Sequence, residues 1–311
     1  MSARPSLAIA IPAWNATRFL PELFECLRAQ IEPFDQIVVC DDASTDDTAA
    51  LAQRLGAVVV RHTTNRGCSA AKNTALEAVR CDWVHFHDAD DLIDRRFAAA
   101  ARAAVGPSVD AWIPGWRHVD GVTGAPLGDG VPDAEALGRD PVAVNLRATV
   151  NNVGVYRTER VRACGGFRAE PAQLHNEDRA FHLALAESGA RFAAGREPLV
   201  TTRRFGGSMS QGSALRCLQA HAAVTLDYIA RRPGQHAADA AAALWQAATG
   251  LATHGDFAAA DRCIVAASRL GHPVDPAASA TFAALCRLGP RTALRLREHA
   301  IRWLRPGLRR A

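Results

Sequence analysis

The sequence predicts an α/β fold, a mostly parallel sheet flanked by helices, followed by an all-α C-terminal region. Three observations carry this expectation. From residue 5 to about 105, short β-branched runs alternate with longer stretches of helical period, the pattern of successive strand-helix-strand crossovers. Within four residues of its end, each run is followed by Asp, Asn or Thr, residues that open helices and turns. From about Ser213 the chain becomes Ala-rich with helical spacing, interrupted only at Pro and Gly.

Strands are expected at Leu7 to Ile11, Gln36 to Cys40, Val58 to Arg61 and Trp83 to His87, with helices near Arg18 to Gln30, Asp47 to Leu55 and Ser69 to Val79. Three crossovers of this length imply parallel pairing, and ligands of such sheets bind beyond the carboxyl ends of the strands. The stretch from Gly106 to Ala148, rich in Gly, Pro and Asp, reads as a long loop of the kind that binds substrates. Breaks at Arg232-Pro233-Gly234, Gly271-His272-Pro273 and Gly289-Pro290 divide the C-terminal region into four or five helices. One piece, LWQAATGLATHGDFAAADRCIVAASRLGHP, faintly resembles a tetratricopeptide-type helix pair, and a single such unit is better read as part of a packed subdomain than as a solenoid.

At 311 residues, 49% apolar, 22% charged and mean hydropathy -0.06, the chain buries roughly three quarters of its unfolded surface, which excludes disorder as its main state. Eight cysteines without a CxxC pair or a Cys/His cluster point to buried thiols in a reducing cytosol, with no structural zinc. No run of 18 apolar residues and no signal pattern is present, so a cytoplasmic protein is expected. The net charge of +4 is local: from Arg287 to the end there are eight arginines and one acid, Glu298. A basicity confined to one tail argues against a nucleic-acid partner. Lys72 is the sole lysine among 36 basic residues, a bias of the kind GC-rich codon usage produces.

The four strand ends converge on one rim. They carry Pro12-Ala13-Trp14-Asn15, then Asp41 to Thr48, then Asn65-Arg66-Gly67, then Asp88-Ala89-Asp90-Asp91. Single Asp or Ser residues there are ordinary helix caps, but capping needs one side chain per helix, and Asp88, Asp90 and Asp91 crowd three carboxylates. A divalent cation, Mg2+ or Mn2+, bridging to a phosphate relieves that repulsion. No GxxxxGK[ST] or GxGxxG offers a competing phosphate site.

The runs LAIAIPAWN, IVVCDDASTDDT, NRGCSAAKN and WVHFHDADD, in this order, resemble the inverting family-2 glycosyltransferases of the GT-A fold, the nucleotide-diphospho-sugar transferase superfamily. The similarity continues through NNVGVYRTERVRACGGF, HNEDRAFHLALAESG and EPLVTTRRFGGSMS, so that about two thirds of the chain is covered. The resemblance implies a GT-A domain over 1–212, with 1–105 the nucleotide-binding half and 106–212 the acceptor half. A helical subdomain over 213–311 follows, carrying a basic amphipathic tail at 291–311.

It also implies roles. Pro12, Ala13, Trp14 and Asn15 line the donor base, Asp42 accepts from a base N–H, and Lys72 reaches the nucleotide where relatives commonly carry arginine. Asp88, Ala89 and Asp90 form the DxD motif, Asp88 meeting the ribose and Asp90, with Asp88, the metal. Asp91 reads as a helix cap, and His85 and His87, at i and i+2, lie beside the acids. On the acceptor side Asp178 is the general base at the start of a helix, with Glu177 and Asn152 orienting the acceptor. Phe205 stands where relatives often present a histidine to the metal or phosphate. Arg203, Arg204 or the Gly206-Gly207-Ser208 backbone would then meet the diphosphate.

The resulting expectation is a bacterial enzyme of polysaccharide biosynthesis that moves a sugar from a UDP-sugar, with GDP- and dTDP-sugars still open, to a hydroxyl of a glycan, lipid-linked or other acceptor. The segment Arg291 to Arg305 alternates Leu294, Leu296, Ile301, Trp303 and Leu304 with arginines, a pattern suited to peripheral contact with the inner face of the plasma membrane or to a solvated surface helix. Two other readings compete. A nucleotidyltransferase would want a basic glycine-rich loop after the first strand, and a noncatalytic nucleotide-sugar sensor or scaffold would act through the helical tail.

Overall fold

The computed structural model describes residues 4–206 and 213–304. The first strand, β1 (Leu7–Ala13), has every residue buried, and it lies between β2 (Gln36–Asp41) and β4 (Trp83–Phe86), with β3 (Val58–Arg61) outside β2. All three pairings are parallel, with Ala8 opposite Gln36, Leu7 opposite Trp83 and Val38 opposite Val58. The crossovers are α1 (Leu20–Arg28), α2 (Thr48–Arg54) and α3 (Cys68–Ala78). Helix α1 illustrates their logic: Pro21 sits in its first turn, and Leu20, Leu23, Phe24 and Leu27 make one buried stripe at helical spacing. His87, expected at the end of β4, lies just past the strand.

The sheet then continues β4-β8-β6-β9-β5, so the full order is β3-β2-β1-β4-β8-β6-β9-β5, with β7 hydrogen-bonded to β6. These elements are β5 (Leu92–Ile93), α4 (Phe97–Ala104), β6 (Ala111–Asp120), β7 (Pro126–Gly130), α5 (Ala134–Arg139), α6 (Pro141–Arg147), β8 (Val155–Arg157), α7 (Thr158–Ala163), α8 (Glu177–Glu187) and β9 (Phe192–Arg204). Strand β8 runs antiparallel to both β4 and β6, while β6 and β9 are parallel. A mostly parallel half is thus joined to a mixed one.

The stretch from Gly106 to Ala148 is therefore not the loop expected. It contains an interior strand, a hairpin and two short helices. Pro114 disguises β6, because proline lacks a ladder donor and a central strand rarely tolerates it. The register shifts on either side of Gly115 accommodate it. Gly115 itself is required by close approach: a Cβ there would sit 2.7 Å from the Arg196 carbonyl oxygen. At the start of β6, buried Asp110 receives Arg157 Nε at 3.0 Å and both the backbone N–H and Nε of Arg191, at 3.0 and 2.9 Å. Burial works to raise that carboxyl, and the bonds from Arg191 and Arg157 outweigh it and hold it far below the ordinary range.

The chain separates into two compact units, the first of Met1–Pro141, Val150–Ala169 and Glu177–Gln211, the second of Val142–Thr149, Glu170–Asn176 and Gly212–Ala311. The second unit draws in two short segments from within the expected 1–212 domain. Its described helices after residue 213 are α9 (Ala214–Arg231), α10 (Ala237–Thr253), α11 (Phe257–Arg269), α12 (Ala280–Leu288) and α13 (Pro290–Leu304). Helices α10 and α11 pack as a pair around Leu244, Trp245, Leu251, Cys263 and Ile264, and α13 adds Ala293 and Leu294 to the same core. No described helix is long and apolar enough to cross a membrane.

Candidate active site

The turns after β1 and β2 are stitched together before any ligand arrives. Asp42 N donates to Ala13 O at 2.8 Å, Asn15 N to Ser44 Oγ at 2.9 Å and Thr45 N to Asn15 Oδ1 at 2.9 Å. Asn15 and Ala43 both have positive φ, 50° and 60°, which these paired turns enforce. Pro12 and Ala13 are buried in the strand, whereas Trp14 is 59% exposed and presents an open face at the sheet end.

Asp42 is buried and already engaged. It accepts from His62 Nδ1 at 2.6 Å, Arg66 N at 2.8 Å and Gly67 N at 2.7 Å, so it clasps the turn that leads into α3. A carboxylate has about four acceptor sites, and these bonds take three of them. His62 completes the clasp by pairing Nε2 with Thr74 Oγ1 at 2.8 Å on α3. Sequence reasoning missed His62, which stands one residue past β3.

Lys72 is not on the surface of α3. Its side chain is buried, and Nζ lies 3.2 Å from Asp88 Oδ1 and 3.7 Å from Asp178 Oδ1, with the Phe167 ring centroid 5.1 Å away. One ammonium therefore touches the first DxD carboxylate and the carboxylate at the start of α8. Burial alone would lower the Lys72 pKa, but Asp88, Cys68, Asp178 and Glu177 raise it well above the ordinary value, so it stays charged.

The carboxylates on either side titrate in opposite directions. Desolvation works to raise Asp88, yet the Lys72 charge and hydrogen bond bring it below the usual range. Asp178 goes up to about 7 because desolvation leads, aided by Glu177 and Asp88 and opposed by Lys72 and by a backbone N–H bond from Asn152. Asp178 remains one-third exposed, open to a reacting group. Asn152 is itself held by Tyr156 Oη, 2.8 Å from its Oδ1, and Tyr156 Oη in turn meets His182 Nε2 at 2.7 Å. Glu177 adjoins Asp178 in the first turn of α8.

The Gly-Gly-Phe turn connects these groups mechanically. Phe167 N donates to Asn73 Oδ1 at 2.8 Å and Asn73 Nδ2 to Phe167 O at 2.7 Å, fixing the turn to α3 beside Lys72. The Phe167 ring then stacks on Phe181 of α8 with centroids 4.2 Å apart and planes 16° from parallel.

Asp91 is not a helix cap, since β5 follows it; its Oδ1 accepts from Arg203 N at 2.8 Å on β9. Arg203 also donates from Nε to the Asp90 carbonyl and pairs with Glu22, so it staples the DxD turn from behind. Buried Ala89 fills the inside of that turn. His85 and His87 are core residues: His85 Nδ1 bonds Gly154 O at 2.8 Å, and its Nε2 lies 3.0 Å from His87 Nδ1. Burial lowers both pKa values, His87 to about 4. Phe205 packs on Phe19 with centroids 5.6 Å apart and Arg18 above it. Gly207 and Ser208 lie outside the described residues.

Asp88 and Asp90 suit a phosphate-bridged cation. Magnesium and manganese take oxygen ligands, commonly one or two carboxylates plus substrate phosphates. Asp90 is partly buried, and desolvation together with the Asp88 charge raises its pKa, the crowding that a cation would relieve. Among the described residues no group of three or more His, Cys, Asp or Glu is placed to hold an ion with protein atoms alone.

Residues 8–125 match the family described as glycosyl transferase family 2. Over that region the chain is similar to this family. The matched residues run from β1 through the turn at Asp88–Asp90 into the β6–β7 hairpin. An uncharacterized glycosyltransferase, EpsJ, of Bacillus subtilis is 29% identical over 93 residues, 29% of this chain and 27% of that protein. The chain spans about a third of the length of the curated relatives it matches. Among solved structures, residues 1–349 of Staphylococcus aureus TarS, in complex with UDP-GlcNAc, superpose with a TM-score of 0.70 at 18% identity, covering 96% of this chain and 92% of that one. The mannosyltransferase PcManGT of Pyrobaculum calidifontis, in complex with GDP-Man and Mn2+, gives 0.59 at 20% identity over 98% of this chain and 88% of that one. These likenesses establish the GT-A fold.

Proposed function

We propose that this protein is an inverting glycosyltransferase that moves a sugar from a nucleotide-diphospho-sugar to an acceptor hydroxyl. The observation that carries the reading is the Lys72 ammonium lying between Asp88, on the donor side, and Asp178, on the acceptor side. A donor carboxylate kept ionised and an acceptor carboxyl tuned near neutrality are what this transfer requires.

The acceptor hydroxyl loses its proton to Asp178 as its oxygen attacks the anomeric carbon from the face opposite the diphosphate. The new carbon-oxygen bond forms while the bond to the phosphate oxygen breaks, and the nucleoside diphosphate leaves with that electron pair. Asp88 and Asp90 would hold Mg2+ or Mn2+ there, which when bound neutralises charge growing on the leaving group. Trp14, Pro12, Ala13 and Asn15 form the wall against which the base lies, with Asp42 supporting that wall. Lys72 does not reach out to the nucleotide in this reading; it balances the two carboxylates. Glu177 and Asn152 orient Asp178 and the acceptor.

The UDP-GlcNAc bound by TarS, matched over nearly all of this chain, favours a UDP-sugar as donor. The acceptor class is a glycan or lipid-linked glycan at the cytoplasmic face of the plasma membrane, with the basic C-terminal helix as the peripheral contact. Thermal stability with UDP, GDP and dTDP, each with and without manganese, tests the donor assignment. A metal-dependent rise with UDP alone supports it, since a ligand at about 100 times its dissociation constant adds roughly 2.7 kcal/mol. No rise with any nucleotide would return the chain to the scaffold reading.

A further inference from the structure

The apolar residues of α13 do not form one stripe. Ala293 and Leu294 face the core of the helical unit with buried Glu298, and Ile301 is half-buried beside them. Leu296 and Trp303, seven residues apart and hence on one face, point the other way and are 55% and 83% exposed. Leu304 and, at the end of α12, Leu288 add further exposed apolar surface, at 66% and 89%. Arg291, Arg295 and Arg302, spaced by four and seven, occupy the flank next to the Leu296 and Trp303 face and are also exposed. Around the outward half of the helix, an arginine edge therefore passes into an apolar edge.

We infer that this outward strip, Leu288, Leu296, Trp303 and Leu304 with Arg287, Arg291 and their neighbours, docks flat on an anionic lipid bilayer. The charge decides between occupants. Over the described residues 287–304, five arginines stand against one acid, Glu298, which is buried, so two copies meeting through this strip would bring like charges together. A bilayer with anionic headgroups accepts the arginines at the phosphate level and the tryptophan and leucine side chains at the acyl boundary. Arg295 and Arg302 are already steadied by Asp261 and by the Ala252 and Thr253 carbonyls, which hold the helix in place on its own unit. The strip deepens the membrane contact proposed above by naming the surface, and it is independent of the catalytic residues.

Removing 291–311 is not a clean test, because it also takes Ala293 and Leu294 from the core. The exposed positions are. Full-length protein should float with phosphatidylglycerol-containing vesicles and not with phosphatidylcholine alone, and added salt should weaken that binding. Leu296→Ser with Trp303→Ser should weaken it by about tenfold or more, with unchanged helical content and donor turnover. Arg287→Gln with Arg291→Gln should weaken it on anionic vesicles as well. Equal flotation of the Leu296/Trp303 variant and the wild type would overturn the inference, as would no flotation of the wild type, or a concentration-dependent dimer that the same variant abolishes. Donor turnover measured in parallel keeps the outcomes separate: its absence in the wild type would refute the enzyme reading without touching the surface.

Discussion

Asp88 and Asp178 stand on either side of one ammonium and are driven apart, the first below the ordinary carboxylate range and the second up to about 7. Asp110, buried among arginines at the start of β6, is pulled down like Asp88, but for a structural reason. The same residue type is thus an ionised anion at Asp88, a carboxyl tuned near neutrality at Asp178 and a structural staple at Asp110. The difference lies in what the fold brings within about 4 Å, since an opposite charge at that range favours the ionised form and desolvation opposes it.

The largest effect is expected at Asp178, the proposed base. Asp178→Asn should lower turnover by about 10²- to 10⁴-fold while leaving nucleotide binding in place, as steady-state rates and a binding isotherm together would report. Next in size is Asp110→Ala, expected to cost about 1.5–3 kcal/mol in a denaturant titration because it removes the buried acceptor of the Arg157 and Arg191 hydrogen bonds. The sign follows from the depressed carboxyl: its stabilisation is complete above the unfolded-state pKa and is lost as pH falls through the native one. Asp110 should therefore matter most near neutrality and little in strong acid.

Smaller changes sharpen the contrast. Asp90→Ala should weaken manganese-dependent donor binding by about tenfold, about 1.4 kcal/mol. In the wild type, turnover should rise with pH through about 7 as Asp178 deprotonates and then level off. Lys72→Met removes the charge that favours the ionised base, so the acid limb of that profile should move to higher pH. A limb that stays in place would mean that Lys72 does not act on Asp178.

The first half of the fold was legible because its rules are local. Parallel strands buried on both faces are apolar runs, and their ends announce themselves with Asp, Asn and Gly. Leu7 to Ile11 needed nothing more, whereas Val58 to Arg61 is a half-exposed edge strand announced by its run of valines. Strand β6 was hidden because Pro114 is compatible with it only through the register shifts beside Gly115, a fact about β9 rather than about the segment itself. The site shows the same division. Spacing pointed to Asp88 and Asp90 and the family resemblance to Asp178, but the burial of Lys72 and the occupied state of Asp42 depend on partners more than 15 residues away, His62 and Asp178 among them. In α13, period alone merged two faces that tertiary packing separates.

Phe167 bonds Asn73 through both its N–H and its carbonyl, and its ring stacks on Phe181 of α8. A shift of α8 must therefore either carry this turn along or break the stack, and in both cases Lys72 feels it. The turn at 165–167 thus works as a fixed pin, and the charges gathered around Lys72 keep their spacing only as long as that pin stays seated.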